Sequence, residues 1–107
     1  MTDARENPPA RSLVRVLAAL SDENRFRIVE LLSQGHAECS CGSIGKSLGL
    51  SPSLISHHLS VLEAAGVIER RKNGLWTHNR LRRDELSRHL AVLERLLTPS
   101  ASASASV

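Results

Sequence analysis

The fold is decided by residues 49–74, which read GLSPSLISHHLSVLEAAGVIERRKNG. Ser51 is a good helix N-cap, because its hydroxyl can accept a hydrogen bond from a free amide of the first turn. Pro52 suits the first helical position, where no amide donor is needed, and Gly66 can take the left-handed conformation that ends a helix. The stretch therefore predicts a helix from Pro52 to Ala65 that is followed by a sharp change of direction.

A shorter helix is predicted immediately before this one. Ile44 and Leu48 lie four residues apart in the segment Ser43–Leu48, and this spacing places both side chains on one face of a helix. Gly49 can adopt the positive φ that stops the helix and turns the chain. Two helices joined by a tight, glycine-containing turn form a helix-turn-helix.

A β-hairpin is predicted directly after the helix-turn-helix. Two strand-like runs, Val67–Lys72 and Leu75–Leu81, are separated by Asn73-Gly74, a pair that tolerates positive φ in a two-residue hairpin turn. A hairpin in this place is a wing. The predicted fold class is therefore mainly α, a winged helix-turn-helix with a small two-stranded wing.

Apolar stripes at helical spacing predict three further helices, which makes about five in all. The first ends near Ser21, the second is capped by Ser21 or Asp22 and stopped by Gly35, and Pro99 terminates the last. The stripes of these three helices are Leu13, Val16, Leu17 and Leu20; Phe26, Ile28, Val29, Leu31 and Leu32; and Leu86, Leu90, Leu93 and Leu97.

The chain has 107 residues, which is the usual size of one domain. We expect residues 12–97 to form this domain between disordered tails at 1–11 and 98–107, because the tails have too few large apolar groups to offset the entropy of ordering. The polar start does not resemble a signal peptide, and no apolar run approaches the roughly 20 residues needed to cross a bilayer. A cytoplasmic protein without a membrane partner is predicted.

The basic residues are concentrated in one segment. Lys and Arg outnumber Asp and Glu by 14 to 11, and between Glu69 and Asp84 there are six basic residues and no acidic one. This distribution favours a polyanionic partner such as double-stranded DNA over a winged helix that serves only protein contacts, the alternative that the fold itself leaves open. No phosphate-cradling glycine loop and no recognisable pair of catalytic carboxylates occurs, so an enzyme is not predicted.

The candidate DNA contacts lie on one face of the 52–65 helix, on the turn before it and on the wing. Small hydroxyl groups and an imidazole can reach phosphates and base edges, and wing arginines can straddle the backbone or enter a minor groove. His58 lies nearer the apolar side and is predicted to be packed, and Trp76 is predicted to cover the core. The predicted contacts are Lys46, Ser51, Ser53, Ser56, His57, Ser60, Arg70, Arg71, Lys72 and Arg80.

Three segments, 20–32 (LSDENRFRIVELL), 50–59 (LSPSLISHHL) and 62–68 (LEAAGVI), together resemble the ArsR/SmtB family of winged-helix repressors. The resemblance covers residues 12–97. It implies a homodimer that joins through the first and last helices, binds an imperfect palindromic operator and releases it when an effector binds. The leucine stripes agree, since both would otherwise leave apolar surface in water. The predicted interface residues are Leu13, Val16, Leu17, Leu20, Leu86, Leu90, Leu93 and Leu97.

The two cysteines, Cys39 and Cys41, lie too close together for an unstrained disulfide, which favours a reducing compartment. In the metal-sensing branch of the resembled family, a Cys-x-Cys pair stands at the start of the helix before the recognition helix, as it does here. Two thiolates together with His36 would suit a divalent transition-metal effector such as Zn or Ni. Both sulfurs can reach one ion only if this segment is extended or just entering the helix.

Other interpretations of the cysteines stay open. The chain has no third cysteine, which argues against a three-thiolate arsenic site within one chain. Asp84 and His89 on the last helix are an alternative metal site, but they lack most of the interface ligand pattern of the resembled family. The cysteines could instead sense oxidants by forming a sulfenate or a disulfide, or they could be inert packing residues in a regulator without a metal site.

Overall fold

The computed structural model describes residues 8–34 and 39–99, and five helices and three strands lie within these ranges. The prediction of five helices with a hairpin wing is confirmed. Gly35, His36 and the segments 1–7 and 100–107 fall outside the described residues. The helices are α1 (Ala10–Leu20), α2 (Glu23–Gln34), α3 (Cys41–Leu48), α4 (Pro52–Ala64) and α5 (Arg83–Leu97), and the strands are β1 (Cys39–Ser40), β2 (Ile68–Asn73) and β3 (Trp76–Leu81).

Local capping signals set the helix boundaries. The Ser51 hydroxyl accepts a hydrogen bond from the amide three residues later at 3.3 Å, and Gly49 ends α3 with a φ of 69°. Of the two candidate caps of α2, Ser21 and Asp22, it is Asp22 that caps the helix: its carboxylate accepts a hydrogen bond from the Arg25 amide at 3.0 Å. Helix α4 therefore begins where its capping residues predict, whereas α3 begins at Cys41, two residues before the predicted Ser43, because the Ser40 hydroxyl caps it.

The wing turns one residue later than predicted. Strands β2 and β3 pair in antiparallel register from Ile68 opposite Leu81 to Asn73 opposite Trp76, which leaves Gly74 and the residue after it as the two-residue loop. Gly74 has a φ of 67°, whereas no described residue other than glycine has a positive φ. A single positive φ at the first loop position is typical of a type II′ turn, in which glycine stands first.

A third strand adds to the two-stranded wing. The two residues of β1 pair with β3, with Cys39 opposite Asn79 and Ser40 opposite His78, and the sheet order is β1-β3-β2. Two residues are too short to carry an alternating pattern, so the sequence contains no signal for this strand. The pairing has a functional consequence, because it joins the cysteine segment directly to the wing.

The core lies between the helices and the base of the hairpin. Phe26 was predicted to be buried on α2 but is 49% exposed, because it lies about 200° of helical rotation from Ile28, which is at the centre of the buried face. The prediction that Trp76 covers the core is also wrong: it is 65% exposed, since it stands at the distal end of β3. The core residues include Val16, Ile28, Leu32, Ile44, Ile55, Leu59, Leu62, Val67, Ile68 and Leu81.

Helices α1 and α5 pack against each other, and a buried histidine joins them. The His89 Nδ1 donates to the Glu85 carbonyl at 2.7 Å, and its Nε2 lies 2.6 Å from the Ser12 hydroxyl. Burial of both ring nitrogens in hydrogen bonds identifies His89 as a residue that stabilises the α1–α5 contact.

The predicted interface residues divide into two groups. Leu13 and Val16 are buried within this chain, and Leu20, Leu86 and Leu93 are partly buried, so none of these five presents a full side chain to a partner. Val16 belongs to the hydrophobic core of the chain, and Leu20 and Leu86 pack against that core. The exposed large apolar side chains of the two helices are Val14, Leu17, Leu90, Leu96 and Leu97, of which Leu17, Leu90 and Leu97 were predicted.

The described part of the chain starts earlier than the predicted domain. Helix α1 begins at Ala10 and Pro8 is buried, so Ala10 and Arg11 are helical and do not belong to a tail. At the other end, α5 stops at Leu97, the residue predicted to close the domain. Among the residues described, no helix is long and apolar enough to cross a membrane.

Candidate nucleic-acid interface and thiol site

Helix α4 presents one apolar and one polar face, as predicted. Ile55, Leu59 and Leu62 are buried, and they hold the helix against the core. The opposite face carries short hydroxyl side chains and one imidazole that reach solvent. The exposed residues of this face are Ser53, Ser56, His57, Ser60 and Glu63, and Ser51 is exposed at the N-cap.

His58 is 6% exposed and does not belong to this surface. Its Nδ1 lies 3.3 Å from the Arg25 guanidinium and 3.9 Å from the Asp22 carboxylate. The Arg25 Nε also donates to the Ala19 carbonyl at 2.6 Å, so the arginine ties the end of α1 to α4. The Arg25 amide holds the pKa of Asp22 below its ordinary value, with a smaller contribution from the nearby His58. Asp22, Arg25 and His58 therefore position α4 from its buried side, opposite the polar face.

The remaining predicted contacts on the helix-turn-helix lie at its rim. Lys46 is exposed in the last turn of α3, close to the turn that leads into α4. Ser51 is exposed at the N-terminus of α4, the positive end of the helix dipole. An ammonium group and a helix N-terminus are both suited to a phosphate oxygen.

The wing carries exposed cations on β2 and a charge pair across its two strands. Arg71 and Lys72 are exposed. Arg80 stands opposite Glu69 in the register, and its Nε lies 3.2 Å from the Glu69 Oε1. The hydrogen bond from Arg80 and its positive charge hold the pKa of Glu69 below its ordinary value. Arg71 and Lys72 are therefore the exposed cations of β2, whereas Arg80 shares its charge with Glu69 across the strands.

Arg70 differs from the other wing arginines, because its guanidinium points toward the protein. Its Nε donates to the Asn79 Oδ1 at 3.1 Å, its Nη1 lies 3.5 Å from the Ser60 Oγ, and its Nη2 lies 3.6 Å from the Cys41 Sγ. Arg70 stays a predicted DNA contact, although each of its three guanidinium nitrogens has a partner within the chain. Alternation along β2 places Arg70 on the same face as the buried Ile68, but it does not indicate which partners the guanidinium meets.

Asn79 is a residue that the sequence analysis missed. It is 0% exposed, and its Nδ2 lies 3.0 Å from the Cys39 carbonyl oxygen and 3.5 Å from the Cys41 Sγ. The signal that could have found it is its position two residues before Leu81, which puts both side chains on the inner face of β3. A fully buried amide at such a position needs polar partners, and the cysteine segment supplies them.

The two cysteines stand at a change from strand to helix. Cys39 lies in β1, Ser40 is the N-cap of α3 with an extended φ of −80° and ψ of 157°, and Cys41 is the first residue of α3. An extended residue between them directs their side chains to the same side of the chain. Both thiols are free and half-buried. This is the extended, helix-entering geometry that a shared ligand requires.

The donor set at this site is incomplete within the described residues. Across residues 8–34 and 39–99, no group of three His, Cys, Asp or Glu side chains is placed to hold one metal ion, and His36 lies outside these ranges. Two sulfur donors fit a thiophilic ion, and the remaining ligands would have to come from elsewhere. The alternative pair does not form a site: Asp84 is exposed, whereas both ring nitrogens of His89 are occupied by hydrogen bonds.

Comparison with known proteins gives consistent matches. Residues 22–70 match the profile of the "Bacterial regulatory protein, arsR family". The "Putative arsenical resistance operon repressor ArsR" of Halobacterium salinarum is 41% identical over 70 residues, which are 64% of this chain and 54% of that protein. The "Cadmium resistance transcriptional regulatory protein CadC" of Listeria innocua is 40% identical over 55 residues, 51% of this chain and 45% of that protein. The chain thus spans about half the length of these two relatives.

Solved structures extend the similarity over most of the chain. An "ArsR-like Transcriptional Regulator" from Rhodococcus sp. RHA1 is 37% identical, has a TM-score of 0.72, and is matched over 81% of this chain and 80% of its own. A homodimeric winged helix-turn-helix DNA-binding domain from Mycobacterium bovis is 26% identical, with a TM-score of 0.67 over 82% and 80% of the two chains. With its α3–α4 unit, its wing and these matches, the chain belongs to the arsR family of bacterial regulatory proteins, a family of DNA-binding transcriptional regulators and not of enzymes.

Proposed function

We propose that this chain is a homodimeric, sequence-specific repressor that acts in the cytoplasm, binds an imperfect palindromic operator and releases it when a divalent transition-metal ion binds Cys39 and Cys41. The observation that carries the DNA-binding part is the continuity of two surfaces. The polar face of α4 and the wing meet at Ser60, whose Oγ lies 3.5 Å from the Arg70 guanidinium. A helix flanked by a basic hairpin can read a major groove and hold the adjacent backbone at once.

Each part of this surface has a separate role. His57 and the serines of α4 are short enough to contact base edges, which differ between base pairs in the major groove. Lys46, Arg71 and Lys72 supply phosphate contacts, which set the orientation of the protein but carry no sequence information. Arg80 contributes less positive charge because it is paired with Glu69.

Self-association is supported by apolar side chains that a lone subunit leaves in water. Leu90, Leu96 and Leu97 on α5 are exposed, as are Val14 and Leu17 on α1. Exposed apolar groups on two adjacent helices are typical of a subunit interface. The M. bovis structure is a homodimer, and a two-fold dimer would present two α4 helices to the two halves of a palindrome.

The cysteines are the proposed effector site. Cys39 and Cys41 flank an extended Ser40, and thiolates bind thiophilic divalent ions such as Zn well. His36 would be a third ligand, and it lies outside the described residues. The arsenical and cadmium resistance regulators among the relatives support a metal as the class of effector.

The test is a metal titration of the reduced dimer, followed through its affinity for an operator selected from random duplexes. We expect Zn or Ni to weaken operator binding by wild type and to leave a Cys39→Ser/Cys41→Ser variant unaffected. Equal responses of both proteins would place the metal elsewhere. Release by peroxide without any response to metal would support the thiol-oxidation alternative. Negligible affinity for every duplex at low salt would overturn the DNA-binding proposal in favour of a protein-interaction module.

A further inference from the structure

Four polar side chains from four different elements meet behind the wing, and we name them the thiol–wing cluster. They are Cys41 at the start of α3, Ser60 on α4, Arg70 on β2 and Asn79 on β3. The Cys41 sulfur lies at one end, 3.5 Å from the Asn79 Nδ2 and 3.6 Å from the Arg70 Nη2. The Ser60 hydroxyl, on the face proposed to contact DNA, lies at the other end.

Asn79 uses the full hydrogen-bonding capacity of its amide nitrogen. The nitrogen has two hydrogens, and its two acceptors are the Cys39 carbonyl and the Cys41 sulfur. Its oxygen accepts from the Arg70 Nε. Because Asn79 is fully buried, no water is at hand to replace a lost partner, and a donor left without one carries the whole cost of its desolvation.

Arg70 is the branching residue of the cluster. Its planar guanidinium directs separate nitrogens to Asn79, Ser60 and Cys41, so a displacement of one partner changes the geometry at the other two. The three partners belong to β3, α4 and α3. One side chain therefore joins the wing, the recognition helix and the helix that precedes it.

Cys41 is half-buried and lines a groove of about 330 Å³, together with small residues of α3 and the start of α4. A Cβ added to Gly42, which also lines the groove, would meet nothing within 4 Å. We expect an ion or a small reagent to approach the Cys41 side chain through this groove.

We propose that the thiol–wing cluster couples the state of the Cys41 sulfur to the position of the wing and of α4, with Arg70 and Asn79 as the coupling residues. The identity of the natural effector rests on the proposed function, whereas the coupling does not. A metal ion or a covalent substituent on the sulfur occupies space beside it and competes with the two donors for their positions. Asn79 and Arg70 must then find new partners, and their strands and Ser60 shift with them.

The direct test modifies Cys41 alone, in a Cys39→Ser background. Methyl methanethiosulfonate transfers its methylthio group to the Cys41 thiolate, forming a mixed disulfide and releasing methanesulfinate. Operator affinity is measured before and after the reaction, and the ratio of the two dissociation constants is the coupling factor. We expect a factor of about 5- to 150-fold, the usual range for coupled sites.

Two variants remove the coupling by different routes. Asn79→Asp keeps an acceptor for Arg70 but removes both hydrogen-bond donors to the cysteine segment. Arg70→Gln removes the guanidinium that contacts Asn79, Ser60 and Cys41 at once. In each, the coupling factor should fall toward one. Arg27→Gln is the matched control, because Arg27 is an exposed arginine on α2 that pairs with Glu23 away from the cluster. This variant should keep the coupling factor of the Cys39→Ser protein.

The ratio separates coupling from direct contact with DNA. If Arg70 acts only as a phosphate contact, Arg70→Gln weakens the binding of free and modified protein equally, and the unchanged ratio overturns the proposal. Should Asn79→Asp fail to fold, Arg70→Gln still decides. The absence of any affinity change on methylthiolation of the parent also overturns it.

A readout without DNA keeps this proposal distinct from the proposed function. Trp76 is the single tryptophan of the chain and stands on β3, three residues from Asn79. Methylthiolation of Cys41 should change its emission or its quenching by iodide, and Arg70→Gln should suppress that change. If no duplex is bound but Trp76 responds in this way, the DNA-binding proposal fails and the coupling stands. If Zn has no effect while methylthiolation releases the operator, only the choice of metal fails.

Discussion

Replacing Arg71 and Lys72 together by glutamine tests the wing as the phosphate-binding element. Both side chains are exposed on β2, and a dimer with two wings loses four cations in the double variant. Each neutralised phosphate contributes about 0.9 to the slope of log affinity against log salt. If all four cations contact phosphates, the slope becomes shallower by about 3.6.

The size of the effect follows from that slope. Between about 50 and 200 mM salt, wild type should lose roughly 150-fold more affinity than the double variant, because a fourfold rise in salt is raised to the power of 3.6. The loss should be similar on operator and random duplexes, since phosphate contacts carry no sequence information.

Fluorescence anisotropy of a labelled duplex, measured at five or more salt concentrations, gives both slopes directly. Arg27→Gln on α2 is the control for a general loss of positive charge, because its side chain is exposed but lies outside the proposed surface. A double variant whose slope equals that of wild type would refute the assignment, whatever its affinity at a single salt concentration.

Three further predictions follow. His57→Ala should reduce the discrimination between operator and random duplexes by about 5- to 150-fold in competition binding, the equivalent of one lost base contact, and equal losses on both would contradict the assignment. The double variant Leu17→Asp/Leu90→Asp should be a monomer in sedimentation equilibrium, because it places charges among the exposed apolar groups of the proposed interface on α1 and α5. A variant that remains a dimer would place the interface elsewhere. Asp22 has a pKa below its ordinary value of 3.8, so the stability that its carboxylate contributes is present above pH 3.8 and is lost as pH falls through the lower pKa of the folded state. The difference in free energy of unfolding between wild type and Asp22→Ala, measured in urea, should therefore become smaller at acid pH. A difference that stays constant with pH would contradict this.

The helix-turn-helix could be predicted because its signals are local. Ser51 and Gly49 act on the residues next to them, and the structure places each where its own chemistry requires. The polar face of α4 was equally accessible, because helical periodicity alone separates it from the buried positions. His58 was placed correctly by the same reasoning, on the apolar side of the helix.

The wing and the cysteine segment were harder to predict from the sequence, because their arrangement depends on residues far apart in the chain. Strand β1 has two residues and exists only through its pairing with β3, about 40 positions later. Strand alternation puts Arg70, two residues after the buried Ile68, on the inner face and Arg71 on the outer face. It does not show that the Arg70 guanidinium meets Asn79 and Cys41, because these partners come from distant parts of the chain.

Ser40 gives the cysteine segment its particular position in the fold. Its backbone pairs with His78 on β3, and its hydroxyl accepts from the Ser43 amide at 3.1 Å to cap α3. The residue between the two thiols is thus at once the last residue of β1 and the N-cap that starts the helix-turn-helix. A ligand shared by the sulfurs of Cys39 and Cys41 would therefore bind on either side of a residue that belongs to both the edge of the sheet and the start of α3.

The core determines how such a change can travel. Ile44 of α3 and Ile55 and Leu59 of α4 are essentially fully buried against each other and the neighbouring helices. Close-packed side chains of this kind resist internal deformation, and the same core includes Ile68 of β2 and Leu81 of β3, so it holds α3 and α4 to the base of the sheet. The polar contacts of Arg70 lie beside this core, between α4 and the wing. A change at Cys41 is therefore expected to act through these polar contacts, where the two elements proposed to contact DNA join.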